Sequence, residues 1–120
     1  MVLKIFPGAL SALVRRKEAM ESSYKVAGID VHKKMLAVVI TDAAEVGEFR
    51  FERRKFGTGE AELRALAGWL AESGVKEAVM ESTAQYWKPV WQALERQLKL
   101  HLAQAWPQAQ TEWRPYPGQG

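Results

Sequence analysis

VAGIDVHKKMLAVVI, residues 26–40, sets one acid, Asp30, into an otherwise apolar run and follows it with His32, Lys33 and Lys34. The run splits at those polar residues into two β-rich stretches, so Asp30 falls at the end of a strand. An acid there has two ordinary uses. It caps a backbone amide of the following turn, or it belongs to a polar site at the edge of a sheet.

Outward from this segment, β-rich and helical patterns alternate. YKVAGID (24–30) and MLAVVIT (35–41) are followed by GEFRFERRKF (47–56), where Phe49 and Phe51 alternate with charged neighbours; the three read as a hairpin-connected meander. Thr58 has the character of a helix N-cap, with Glu60 and Glu62 in the first turn, where the helix dipole favours acids. Leu63, Leu66, Ala67 and Leu70 then share one helical face, and Gly74 stops the helix. VKEAVM (75–80) is a short buried-strand pattern leading to Glu81. Trp87, Val90, Trp91, Leu94 and Leu98 form a second helical stripe, with Pro89 in the first turn, where its missing N–H does no harm. LKLHLAQAW (98–106) alternates as a last strand.

This order predicts an α/β fold with a mixed sheet, and right-handed crossovers leave few arrangements of it. The simplest sets the fourth strand beside the first and parallel to it. Asp30 and Glu81 then meet at the carboxyl edge of the sheet, where open α/β sheets place their sites. Neighbouring carboxylates repel, and a divalent cation relieves the repulsion. Hard oxygen ligands suit Mg²⁺ or Mn²⁺, and two such ions can clamp the attacking and leaving oxygens of a phosphodiester. Lys33 and Lys34 would position phosphate. For Glu81 the alternative is a helix-capping carboxylate ahead of Ser82 and Thr83.

Composition limits the class. The 120 residues suffice for about one domain, and the 48% hydrophobic and 26% charged content is that of a soluble globular chain without a membrane span. Seventeen Lys and Arg against 14 Asp and Glu give a net charge of +3, which favours polyanions. With no cysteine there is no disulfide framework or thiolate site, which points to a reducing cytoplasm. In residues 1–19 the basic Arg15, Arg16 and Lys17 follow a short apolar stretch, the wrong order for a secretory signal. Residues 1–23 are therefore an N-terminal extension: either a segment upstream of a true start at Met20, or an amphipathic helix on the outside of the domain.

GIDVHKKMLAVVI, VMESTAQYWKPVWQALE and LKLHLAQA resemble, in order and spacing, the N-terminal domain of DEDD transposases of the insertion-sequence one-ten family. The resemblance covers residues 24–105 and implies a RuvC-like fold of the RNase H-like class. It also implies DNA transposition by metal-dependent strand cleavage and rejoining, with four acids of the pattern Asp, Glu, Asp, Asp. Asp30 and Glu81 take the first two places. DNA is the implied partner, with an element-encoded guide RNA and a separate C-terminal domain carrying a serine nucleophile. Lys33, Lys34, Lys88, Arg53 and Arg54 are the expected nucleic-acid contacts.

The chain departs from the family after its last strand. The family continues with a basic Gly-Arg-Lys segment and an Asp-x-x-Asp helix, whereas here the only aspartates are Asp30 and Asp42, and the acids beyond Glu81 are Glu95 and Glu112. WPQAQTEWRPYPGQG (106–120) reads as a disordered or frameshifted tail. The expectation is a truncated transposase domain, inactive alone, with cation binding weak or absent, and able to associate with itself or an intact transposase. His32 is either a phosphate or metal contact or a solvated surface residue. Tyr86, Trp87 and Trp91 either stack on bases or, at helical spacing, pack in the core. Arg50, Arg53, Arg54 and Lys55 face nucleic acid or solvent. One alternative function is a non-catalytic nucleic-acid-binding or dimerisation module. The other is an actin-like or sugar-kinase ATP-binding domain, which needs Gly with Ser or Thr where Val31 and His32 stand.

Overall fold

The computed structural model describes residues 9–17, 24–42 and 52–104. Its elements are α1 (Ala9–Lys17), β1 (Lys25–Val31), β2 (Leu36–Asp42), β3 (Glu52–Phe56), α2 (Glu60–Glu72), β4 (Val75–Ser82), α3 (Trp87–Leu94) and β5 (Lys99–Gln104). Phe49, Phe51, Arg50, the rest of the N-terminal extension and the 106–120 tail lie outside the described residues.

The strands form one sheet in the order β3-β2-β1-β4-β5. β2 is antiparallel to both β1 and β3, while β4 lies parallel to β1 and to β5, as the sequence predicted for the first and fourth strands. The connections β3–α2–β4 and β4–α3–β5 both step the same way across the sheet. Right-handed crossovers therefore put α2 and α3 on one face, where Leu63, Leu66, Leu70, Trp87, Val90, Trp91 and Leu94 pack on Ile29, Val31, Val38, Ile40, Ala78 and Met80. Trp87 and Trp91 stack edge to face in this core, with ring centroids 5.9 Å apart.

The helix ends differ in detail from their sequence signals. The N-cap of α2 is Gly59, without a side-chain cap, and the Thr58 hydroxyl donates to the Lys33 carbonyl at 3.4 Å instead. Glu62 accepts the Gly57 amide at 2.9 Å, so an acid of the first turn does the local fastening. Gly74 stops α2 with a φ of 79°, a left-handed position natural to glycine. α3 ends at Leu94, and Leu98 is buried in the turn before β5 rather than in a further helical turn.

α1 covers the other face of the sheet. Ala9, Leu10, Leu13 and Val14 pack on Val26, Val39, Val79 and Ala103, and Leu10 and Leu13 are fully buried. The central strands are thus covered on both sides, which explains the near-continuous apolar runs of β1 and β4.

Candidate active site

Asp30 and Glu81 are register partners on the parallel strands β1 and β4. Both are near the carboxyl ends of their strands, and pleating directs their side chains to the α1 face. The two strand ends are tied together by the Thr83 amide, which donates to the Val31 carbonyl at 3.3 Å. Two residues past Glu81's neighbour Ser82, Ala84 takes a left-handed φ of 51°, reversing the chain sharply before α3.

Burial, then the charge of Asp30, hold the Glu81 carboxyl above its ordinary value, and a hydrogen bond from the Ala9 amide at the start of α1 opposes them. A carboxyl raised in the folded state contributes its full stability below the ordinary value and loses it as pH rises through the raised one. Ionised Glu81 therefore strains the fold at neutral pH. Glu81→Gln is expected to raise the thermal midpoint at neutral pH, with the gain vanishing below the ordinary value of 4.5. A midpoint lowered at neutral pH would contradict the like-charge arrangement.

His32 pairs with Asp30, its Nε2 lying 3.0 Å from Oδ2, while its side chain stays 45% exposed to solvent. Its amide donates to the Met35 carbonyl at 2.9 Å, closing the β1–β2 hairpin turn, and Lys33 and Lys34 project from that turn, exposed to solvent. Lys88 stands in the first turn of α3, with its ammonium 5.9 Å from the Trp87 ring centroid. Arg53 and Arg54 are neighbours on β3, so they point to opposite faces. The Arg54 guanidinium lies 5.3 Å from the ring centroids of both Phe56 and Trp69, on the α2 side. Asp30, Glu81 and His32 thus come together with Lys33 and Lys34 beside them, while Lys88 and Arg54 lie on the side of the other helices.

Residue reasoning passed over a second polar group on the α1 face. Glu77 on β4 is 1% exposed. It accepts the Tyr24 hydroxyl at 2.8 Å and pairs through its other oxygen with Nε2 of His101 on β5. The Tyr24 hydroxyl is pushed up to about 12 by burial first and by Glu77 second. The signal in the sequence was the acid inside VKEAVM, as conspicuous there as Asp30 in its own strand. Among the described residues, no group of three or more His, Cys, Asp or Glu side chains converges to hold a metal ion. No described helix is long and apolar enough to cross a membrane.

A five-stranded mixed sheet of this order, with only β2 reversed and an acid at the end of each of two central parallel strands, defines a domain of the RNase H-like class. The chain belongs to the DEDD transposase family of the IS110 type: the family model, described as transposase, matches residues 27–112. Among solved structures the chain is similar to T. thermophilus RuvC in complex with a Holliday junction substrate, at 14% identity and a TM-score of 0.49, over 68% of this chain and 65% of that one. It is also similar to a Ppx/GppA family member of Aquifex aeolicus, at 16% identity and a TM-score of 0.46, over 70% of this chain and 36% of that one. The chain spans less than two thirds of the length of either protein. No curated protein matches it.

Proposed function

We propose that the chain is the DNA-processing domain of a transposase, in which Asp30 and Glu81 hold a divalent cation, Mg²⁺ or Mn²⁺, against a phosphodiester. The observation that carries this is the direct register of the two carboxylates, whose mutual repulsion a cation would relieve. The donor set fits two positions of one such ion, which fills the remainder of its shell with water and phosphate oxygens. When bound, the ion supplies charge stabilisation at the reacting phosphate and a more acidic water.

The protein's own residues do the positioning. The Thr83–Val31 hydrogen bond keeps the two strand ends at fixed spacing, and His32 fixes the Asp30 carboxylate. Lys33 and Lys34 offer exposed ammonium groups to the phosphates beside the acids, and Arg53 extends the basic surface on the acid-bearing face, whereas Lys88 and Arg54 lie on the side of the other helices. Membership of a transposase family supports DNA as the partner. A guide RNA, a second copy of the chain or an intact transposase are the further partners this function brings with it, in the cytoplasm.

Calorimetric titration of Mn²⁺ into the chain is expected to give a binding isotherm, and Asp30→Asn is expected to weaken it by at least about tenfold, the low end of what losing a mere supporting contact does. Equal heats from the two proteins would overturn the metal assignment.

A further inference from the structure

Building on that DNA-processing function, we propose that Arg53 and Lys55 of β3 form a phosphate-contacting track that leads a DNA strand across the sheet to Asp30 and Glu81. Lys55 is a positioning residue here, and Arg54 between them is not part of the track.

The register places them. Lys55 is opposite Ala37, Ala37 is opposite Asp30, and Asp30 is opposite Glu81, so one row across the sheet joins the cation to the acids. Arg53 lies one step back on the same face, opposite Val39. Both side chains are exposed, and no acid of β3 shares their face, since Glu52 alternates with Arg53 onto the other. Arg54 is drawn to the opposite side by the Phe56 and Trp69 rings.

Among the described residues, none packs over the path between Lys55 and the acids. Ala37 is small and only partly buried, and it is not among the residues that α1 packs on, whereas the next row is closed by α1 on Val39. α1 therefore walls one side of the track. With strands about 4.8 Å apart, Lys55 stands roughly 10 Å from Asp30. That is about three nucleotides of one strand at roughly 3.4 Å each, a spacing at which an ammonium group holds a phosphate close to the reacting one without competing for it.

Basic residues on an edge strand also serve to prevent edge-to-edge pairing, and the salt dependence of DNA binding separates the two roles. Affinity for a short fluorescein-labelled DNA duplex is measured by anisotropy between about 50 and 200 mM salt. Arg53→Gln and Lys55→Gln are each expected to lower the slope of log affinity against log salt by about 0.9, the loss of one neutralised phosphate. Arg54→Gln is expected to leave the slope as it is. Unchanged slopes in both Arg53→Gln and Lys55→Gln, with or without self-association, would overturn the track while leaving DNA binding intact. Failure of the wild-type chain to bind the duplex at all would overturn the function proposed above and the track with it.

Discussion

Glu77→Ala is expected to destabilise the domain by about 3–5 kcal/mol, the range for removing one partner of a buried pair. Glu77 is almost fully buried, and its carboxylate meets both the Tyr24 hydroxyl and the His101 ring. Truncation leaves two polar groups without that acceptor and opens a cavity where the buried side chain stood. At roughly 4–8 °C per kcal/mol for a domain of this size, the thermal midpoint falls by about 12 °C or more. Replacing both Glu77 and His101 by leucine is expected to recover most of the loss, because removing both partners of a buried polar pair in favour of well-packed apolar residues is commonly close to neutral. A fall of under about 1 kcal/mol in Glu77→Ala would show that the cluster is not the buried, mutually paired group described.

Supercoiled DNA incubated with the chain and Mg²⁺ is expected to stay intact. A two-ion clamp on the attacking and leaving oxygens needs ligands for both ions. The described residues bring together only Asp30 and Glu81, with His32 committed to Asp30, and no larger group of ligating side chains forms among them. Glu77 lies four residues back along β4 and is occupied by Tyr24 and His101, and Glu95 closes the C-terminal end of α3, the helix that packs on the opposite face. Losing one ion's charge stabilisation, several kcal/mol at tenfold per 1.36 kcal/mol, slows hydrolysis by roughly a thousandfold or more. Mg²⁺-dependent nicking that disappears in Glu81→Gln would overturn this and show that the chain holds a complete site.

The sheet was legible because its strands announce themselves. β1 and β4 are apolar enough to need cover on both faces, and their register follows once a right-handed crossover sets one beside the other. That pairing sets Asp30 against Glu81, as the register of the parallel strands has it. The α2 N-terminus was misread in one detail: Thr58 has the right chemistry for a cap, but the chain entering from β3 turns its hydroxyl to Lys33, and Glu62 reaches back instead. Periodicity within a segment says nothing of what it meets across the fold. For that reason the burial of Leu10 and Leu13 on the acid-bearing face, the Glu77 cluster on the same face, and the division of Arg53 from Arg54 by the pleat are set by tertiary contacts that no local pattern encodes.

The first amide of α1 has a practical meaning. Because the Ala9 N–H rests on the Glu81 carboxyl, the chain upstream of Ala9 is mechanically joined to the acid it would be asked to report on. An affinity tag or surface tether fixed at that end loads the helix whose first amide meets the Glu81 carboxyl, so immobilisation through the opposite terminus leaves the acid's surroundings less disturbed.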